Sequence, residues 1–147
     1  MAEEPSKTVY EIDKSTTNWN SVNSRLLEWQ GSWSTISNHF LLGVGTGGWQ
    51  VAMKNFYRNF NQSTIDLEHN AHNEYLQVWM ENGLPGLIFF VGCICFSLIL
   101  IKLRPDYAAF LIIFIVMCFT ESIAERQKGI VFFTMFQSLF LAFPKNK

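Results

Sequence analysis

The sequence has few cysteines and no excess of charge of either sign. Its three cysteines, Cys93, Cys95 and Cys118, all lie inside apolar stretches, where a free thiol behaves as a small hydrophobic side chain. No disulfide framework is therefore expected. The formal net charge is −1, whereas a protein that binds nucleic acid carries a clustered basic face. The composition therefore argues against nucleic acid as a partner.

Two common catalytic signatures are also missing. The HExxH pattern of helical zinc sites and the GxSxG pattern of serine hydrolases do not occur in the sequence. Potential metal ligands do cluster around residue 70, and they are Asp66, Glu68, His69, His72 and Glu74. A zinc site needs three or four converging ligands, and the spacing of these five residues does not match the HExxH signature. We therefore expect no metal and no other cofactor.

Charge is almost absent from three blocks in the second half of the chain, residues 84–101, 107–120 and 130–143. The first block has 18 residues, and as a helix it would cover about 27 Å of the roughly 30 Å hydrocarbon core of a bilayer. The other two have 14 residues each, a length that also fits buried helices of a soluble protein. None of the three has a polar face, which favours lipid surroundings. The prediction is an all-α membrane protein with about three transmembrane helices.

Basic residues predict the orientation of these helices. Lys102 and Arg104 follow the first block, and Lys145 and Lys147 follow the third. Loops rich in lysine and arginine face the cytoplasm. The polar first half of the chain and the loop 121–129 are then expected on the outer side of the membrane.

The polar half divides into a flexible leader, residues 1–17, and an outer domain of amphipathic helices, residues 18–83. The leader, which begins MAEEPSKTVYEIDK, lacks the apolar core of a signal peptide. Export of the outer domain then requires either membrane helices that precede it or insertion of the first apolar block with its amino end outward.

The first amphipathic helix is expected to begin near Thr17 or Asn18, either of which can cap it. Its apolar residues recur at intervals of 3 and 4, and they are Trp19, Val22, Leu26, Trp29, Trp33 and Ile36. Two interpretations of this stripe are open: a helix at the level of the lipid headgroups, which suits tryptophan, and a helix packed on other protein. Gly31 is a candidate bend, and Arg25 lies at the edge of the stripe.

Glycines punctuate the next segment, HFLLGVGTGGW. Gly43, Gly45 and Gly48 formally satisfy GxGxxG, but no strand precedes them and no βαβ unit surrounds them, which excludes a dinucleotide site. An anion-binding nest of backbone amides and a plain tight connection remain as interpretations. A second short amphipathic helix is predicted by the residues that follow, Trp49, Met53, Phe56 and Phe60.

The stretch HNAHNEYLQVWMENGLPG predicts a helix over residues 71–82, capped by Asn70 and ended by Gly83. Pro85 fits the first turn of the membrane helix that follows. His72 is thereby expected in a first helical turn, where the helix dipole disfavours imidazolium and attracts anions. That position suits a neutral base beside a phosphate, and the alternative is a histidine satisfied by neighbouring polar groups.

The order of these motifs resembles the carboxyl-terminal part of the O-antigen ligase and O-antigen polymerase family of bacteria. The motifs are SRLLEW, FLLGVGTGGW, AHNEYLQVWMENGLPGLIFF and FTES, within residues 24–143. Family members are multi-pass inner-membrane glycosyltransferases that act at the periplasmic face, and they include ligases that load glycans onto proteins. The resemblance implies the same location here, with the amino-terminal domain in the periplasm. It also implies missing amino-terminal membrane helices, because members have many more than three.

The resemblance further implies a reaction in lipopolysaccharide or surface polysaccharide biosynthesis. Family members transfer a glycan from undecaprenyl diphosphate to a hydroxyl of an acceptor, which is a glycan, a lipid A core or a protein, and they use no metal. Their essential arginine and histidine correspond by motif to Arg25 and His72. His72 is then the expected base for the acceptor hydroxyl, and Arg25 the expected ligand of the diphosphate.

Four further residues are expected to assist. Arg126 and Lys128, predicted on the outer side, are second candidates for the diphosphate. Asn73 is expected to orient a group or to cap a helix. Glu121 is expected to orient a base or to pair with Arg126. Trp29 is expected to pack.

Two functions of other classes stay open beside a ligase or polymerase. The first is a small non-catalytic membrane protein whose outer domain binds a partner or lipid. The second is a metal-dependent hydrolase.

Overall fold

The computed structural model of the chain describes residues 21–58, 70–100 and 105–142. These residues form helices and loops and contain no strand, which confirms the all-α prediction. The helices are α1 (Ser21–Asn38), α2 (Gly48–Tyr57), α3 (Glu74–Leu100), α4 (Pro105–Thr120) and α5 (Gln127–Ala142). The predicted leader lies outside the described residues, as do Thr17, Asn18, Trp19, Phe60 and the four basic residues used to orient the helices.

Helix α3 is broken near its middle. At Gly83 the backbone has φ 67° and ψ −167°, which is not helical, and Pro85 follows in the next turn. The break confirms the predicted end of a helix at Gly83. The first part of α3 begins at Glu74, later than the predicted residue 71. The apolar second part, residues 84–100, leaves directly from the break.

The loop between α1 and α2 supplies the hydrogen bonds that this break removes. Val44 N donates to Met80 O and Gly45 N donates to Glu81 O, both at 2.9 Å, and Leu84 N donates to Phe40 O at 3.0 Å. A helix end leaves carbonyl and amide groups without partners, and here the loop satisfies them on both sides of the break.

Two glycines let the loop approach the break this closely. A Cβ on Gly83 would lie 2.1 Å from Leu41 O, and a Cβ on Gly43 would lie 2.4 Å from Glu81 O. Gly43 N itself donates to His39 O. The glycine segment is thus a tight connection, and the anion-nest interpretation is wrong for Gly43 and Gly45, because their amides are bonded to backbone carbonyls.

The core of the polar half lies between α1, α2 and the first part of α3. It contains Leu27, Ile36, Trp49, Met53, Tyr57 and Met80. The predicted apolar face of α2 is confirmed at Trp49 and Met53, which are buried. The predicted stripe of α1 is only partly right, because Val22, Trp29 and Trp33 are exposed.

Small and polar residues explain why the buried face of α1 differs from its apolar stripe. Ser32 and Thr35 are buried, and their hydroxyls donate to the carbonyls of Glu28 and Gly31, at 2.7 and 2.9 Å. Gly31, a candidate bend, lies inside the continuous helix α1, where it lets Phe56 of α2 approach closely. A Cβ at Gly31 would lie 2.9 Å from Phe56 Cδ1. Close packing on α2 therefore selects glycine at position 31, and with the buried Ser32 and Thr35 it belongs to a face that a hydrophobic pattern does not reveal.

One helix has the length and composition to cross a membrane within the described residues. It covers Glu74–Ile99, with a mean hydropathy of 2.0 and 17% of its most apolar window buried. Helix α4 is apolar over Asp106–Thr120 but shorter. The second and third apolar blocks are confirmed as helices by α4 and α5, and their membrane crossing stays a prediction.

Polar side chains join the three apolar helices at one level. The Tyr107 hydroxyl of α4 donates to Gln137 Oε1 of α5, and Gln137 Nε2 donates to Ser97 Oγ of α3 at 3.3 Å. Phe114 and Phe133 stack across α4 and α5 with ring centroids 4.1 Å apart. Interhelical hydrogen bonds between buried polar groups are a usual way of fixing helices against each other in an apolar medium.

Candidate functional site

His72 lies in a short turn that leads into α3. Asn70 Oδ1 accepts a hydrogen bond from His72 N at 3.2 Å, and His72 has a φ of 42°. The helix cap is Asn73, whose Oδ1 accepts from Leu76 N at 3.1 Å. The prediction that Asn70 caps the helix is therefore wrong, and the expected capping by Asn73 is confirmed. His72 precedes the first helical turn, so the argument from the helix dipole does not apply to its ring.

The imidazole of His72 contacts a carboxylate from a distant part of the chain. His72 Nδ1 lies 3.1 Å from Glu121 Oε2, and Glu121 immediately follows α4. An ionised carboxylate only accepts hydrogen bonds. The contact therefore favours the tautomer with its proton on Nδ1, and Nε2 is then left as the basic nitrogen.

Arg25 approaches the same carboxylate from α1. Arg25 Nη2 lies 4.0 Å from Glu121 Oε1, and both side chains are about half exposed. A pair at this distance and exposure contributes little stability, on the order of 1 kcal/mol or less. The structure thus brings Arg25 and His72 to opposite oxygens of Glu121. Glu121 was expected to orient a base or to pair with Arg126, and the structure places its carboxylate against His72 and Arg25.

The indole of Trp29 joins α1 to the histidine turn. Its Nε1 donates to Ala71 O at 3.1 Å. Trp29 was expected only to pack, and this hydrogen bond adds a direct link between the helix that carries Arg25 and the residue before His72. The contacts of Arg25 and His72 with Glu121, together with this hydrogen bond of Trp29, therefore constrain the distance between the guanidinium and the imidazole.

Sequence reasoning missed Glu28, a carboxyl buried one helical turn after Arg25. Burial raises the pKa of Glu28 to about 7; the charge of Arg25 lowers it, and that of Glu121 raises it further. The buried Tyr57 of α2 lies in the same region, and burial and the charge of Glu28 raise its pKa. The available signal was the acidic residue within SRLLEW, which lies beside Leu27 and off the stripe of tryptophans on α1.

Three further contacts hold the turn after α4 against the histidine turn and the start of α3. Ala124 N donates to the buried carboxylate of Glu74, Oε2, at 2.8 Å. Asn70 Nδ2 donates to Glu125 Oε2 at 2.9 Å, and Asn73 Nδ2 lies 3.5 Å from Phe119 O. These contacts, which the sequence did not predict, place Glu121 beside His72.

Arg126 and Lys128 were the second candidates for an anion. Both are exposed, at the end of this turn and in the first turn of α5. Among the described residues, the ion pairs of Glu121 are with Arg25 and His72, so the expected pairing of Glu121 with Arg126 is not observed there.

Only two of the five candidate metal ligands, His72 and Glu74, lie within the described residues. Asp66, Glu68 and His69 lie outside the described residues. Of the other two candidate ligands, Glu74 accepts the hydrogen bond of Ala124 N and His72 contacts Glu121. Within the described ranges, no group of three histidine, cysteine or acidic side chains has the arrangement of a metal site.

The fold and the site define a class of helical proteins in which an arginine, a histidine and a carboxylate meet beside a helix long enough to cross a membrane. A sequence model of the O-antigen ligase family matches residues 3–91, more than half of the chain. The chain belongs to the O-antigen ligase family, a membrane-associated family of enzymes. The match includes Arg25, His72 and Asn73, whereas Glu121, Arg126 and Lys128 lie beyond it. Searches of curated proteins and of solved structures found no match.

Proposed function

We propose that the chain is the carboxyl-terminal part of a bacterial glycosyltransferase of the O-antigen ligase or polymerase type. It transfers a glycan from undecaprenyl diphosphate to an acceptor hydroxyl at the periplasmic face of the inner membrane, in lipopolysaccharide or surface polysaccharide biosynthesis. The observation that carries the proposal is the convergence of His72 and Arg25 on Glu121, from three separate segments of the chain.

In this proposal His72 is the general base. Its Nε2 takes the proton of the acceptor hydroxyl as the acceptor oxygen forms a bond to the anomeric carbon of the donor glycan. Glu121 accepts a hydrogen bond from Nδ1 at 3.1 Å, orients the ring and stabilises the imidazolium that forms. Base and carboxylate partners of this kind are a recurring arrangement for activating a hydroxyl.

Arg25 binds the leaving group. As the bond between the anomeric carbon and the phosphate oxygen breaks, negative charge grows on the undecaprenyl diphosphate. A planar guanidinium matches phosphate oxygens with two parallel hydrogen bonds. The 4.0 Å contact with Glu121 and the half exposure of Arg25 leave its guanidinium available to a stronger anionic partner.

The proposal gives the other candidate residues and the apolar helices supporting roles. Asn73 holds the turn that presents His72, through its cap of α3, and Arg126 and Lys128 attract the anionic donor from the exposed turn. Residues 84–100, α4 and α5 cross the inner membrane in a multi-pass chain whose amino-terminal domain lies in the periplasm. The acceptor is a glycan, a lipid A core or a protein hydroxyl, and no metal or other cofactor takes part.

Substitution of the histidine tests the function, in membranes that carry the protein expressed from its complete open reading frame. We expect His72→Ala to lower transfer from an undecaprenyl diphosphate-linked glycan by about 100-fold or more, the usual contribution of a general base. His39→Ala is the matched control, because His39 is exposed and belongs to the loop after α1. Both variants should accumulate in the membrane like the parent.

The same assay separates the competing functions. Equal transfer by His72→Ala and His39→Ala would refute the proposed base and favour a non-catalytic outer domain. Loss of transfer after exhaustive chelation would favour metal-dependent chemistry. Arg25→Ala should weaken transfer as strongly as His72→Ala, with Arg58→Ala, an exposed arginine on the far end of α2, as its control.

A further inference from the structure

An exposed apolar surface lies on the outside of the loop that supports the break in α3. It consists of Trp33 from α1 and of Phe40, Leu41 and Leu42, and we name these four residues the loop patch. Leu42 is 83% exposed, Leu41 64%, Trp33 57% and Phe40 45%. Soluble proteins rarely leave large apolar side chains exposed in such a contiguous group.

Backbone hydrogen bonds fix these side chains in their exposed positions. Phe40 O accepts from Leu84 N, and Gly43 N donates to His39 O at 2.8 Å, so the loop is bonded on both sides of Leu41 and Leu42. Turning the leucines inward would break the bonds that satisfy the ends of the broken helix. The exposure is therefore built into the fold.

The loop patch is continuous with the apolar part of α3. Its residue Phe40 is bonded to Leu84, the first residue of that part, and Leu41 O touches Gly83. On α3, Ile88 and Phe89 are the next large exposed apolar side chains. The loop patch thus lies at the level where a membrane-crossing helix would enter the hydrocarbon layer.

The surroundings of the loop patch have the composition of a membrane interface. Residues 29–53 contain no aspartate, glutamate, lysine or arginine. Trp79 packs edge-on against Trp33 and Phe40, with ring centroids 5.9 and 5.3 Å apart, and its Nε1 donates to Phe40 O. Tryptophans with an apolar body and a satisfied N–H are typical of the headgroup region of bilayers.

We propose that the loop patch inserts into the outer leaflet of the lipid bilayer that residues 84–100 cross. The inserted leucines hold the polar half of the chain at a fixed height on the membrane, so that Arg25 and His72 stay at the lipid surface. The occupant of the patch is lipid. The proposal requires that α3 crosses the membrane, and it is independent of which reaction the site performs.

Fluorescence quenching by lipids tests the insertion. The chain, with Cys93, Cys95 and Cys118 replaced by alanine, receives a single cysteine through Leu42→Cys, is labelled with a nitrobenzoxadiazole dye and is reconstituted in phosphatidylcholine vesicles. The vesicles carry bromine near either the carbonyl end or the methyl end of the acyl chains. Phe89→Cys reports on the membrane helix, and Lys54→Cys, an exposed charged position of α2, is the control expected in water.

We expect carbonyl-end bromines to quench the label at residue 42 at least about twofold more than methyl-end bromines, as befits shallow insertion. The label at residue 54 should respond only to aqueous iodide. A label at residue 89 that bromolipids do not quench would refute the crossing of α3. Quenching at residue 89 without quenching at residue 42 would overturn the loop patch alone.

The label at residue 42 also distinguishes lipid from protein as the occupant. Protection from both iodide and bromolipids would mean that another segment or a second copy covers the patch, which would refute the proposal. A second measurement avoids substitutions: a phosphatidylcholine with a photoactivatable diazirine near its headgroup should cross-link the unmodified chain within residues 40–42. The absence of cross-links there, with cross-links in α3, would also refute it.

Discussion

The polar half of the chain, described over residues 21–58 and 70–82, and the apolar half, described over residues 84–100 and 105–142, pack by different means. In the polar half, glycines and small hydroxyl residues bring backbones into contact, and backbone hydrogen bonds join the α1–α2 loop to α3. In the apolar half, aromatic rings stack between helices, and many large apolar side chains remain exposed. A close glycine contact occurs there at the start of α5, where a Cβ on Gly129 would lie 2.1 Å from Ile123 O of the preceding turn. Close backbone contacts tolerate little change, whereas contacts between large flexible side chains tolerate more.

The largest expected effect of this difference is at the glycines of α3. Gly83→Ala places a Cβ 2.1 Å from Leu41 O at a position with a positive φ, so the loop must separate from the break. We expect a loss of about 4 kcal/mol or more of unfolding free energy, or failure to accumulate. Thermal unfolding in detergent measures it.

Gly92→Ala is the matched control in the apolar half of the same helix. Among the described residues, no atom outside the adjoining backbone of α3 lies within 4 Å of a Cβ on Gly92, and alanine favours a helix over glycine by about 1 kcal/mol. We expect unchanged or slightly raised stability. Equal losses for the two variants would contradict the claimed contrast between the halves.

The next largest effect on stability is expected at the buried carboxylate of Glu74. Glu74→Leu removes the acceptor of Ala124 N, which we expect to lower the unfolding free energy by about 1–3 kcal/mol and to displace the turn that carries Glu121. Glu74→Gln retains a carbonyl acceptor and should lose less. Amide hydrogen exchange at Ala124 checks the contact, and equal protection in the parent and Glu74→Leu would disprove the role of this hydrogen bond.

The stability of the polar half should depend on pH because of Glu28. Burial raises the pKa of Glu28 from 4.5 to about 7, so between these pH values the folded chain holds a proton that the unfolded chain releases. Stability should therefore fall as the pH rises through this window, because the folded state must then bury the charge. Melting temperatures between pH 4.5 and 8 measure the slope.

Glu28→Gln should reduce this slope, and the part that remains is expected from Glu74, because burial raises its pKa from 4.5 to about 7 as well. Tyr57→Phe is the control, because it removes only a buried hydroxyl that has no hydrogen-bond partner among the described residues and should retain the slope. A slope in Glu28→Gln as steep as that of the parent would assign the pH dependence to groups other than Glu28.

The smallest effect is expected at the polar contact of the apolar half. Gln137→Leu removes the hydrogen bonds to Tyr107 and Ser97. Single interhelical hydrogen bonds in membranes contribute about 0.6 kcal/mol on average, so the unfolding free energy should fall by no more than about 2 kcal/mol. A loss as large as that of Gly83→Ala would mean that the apolar half also depends on specific polar contacts.

Sequence patterns predicted the elements of the apolar half well, because a run of apolar residues without a polar face specifies a helix regardless of its neighbours. The blocks 84–101, 107–120 and 130–143 correspond within a few residues to the second part of α3, to α4 and to α5. The buried residues of the polar half were harder to predict. The stripe of α1 identified Ile36 but missed the buried Ser32 and Thr35, since their burial depends on hydroxyl hydrogen bonds within the helix.

The residues of the candidate site could be predicted from the sequence, but the contacts between them could not. Arg25, His72 and Glu121 were each named from motif or position, and the structure brings them together. The cap predicted at Asn70 was wrong, and the burial of Glu28 was missed. Both depend on contacts between segments that are far apart in the chain: Asn73 Nδ2 lies 3.5 Å from Phe119 O, and the charge of Glu28 acts on Tyr57 of α2.

The sequence by itself determined that the chain is helical, that α3 breaks at Gly83 and that its second part is apolar enough for lipid, because these features follow from local composition and from the conformations that glycine and proline allow. Only the tertiary structure decided that the α1–α2 loop satisfies the broken helix and that one carboxylate serves both Arg25 and His72. Contacts of this kind join segments separated by tens of residues, and their geometry is set by how closely the backbones can approach.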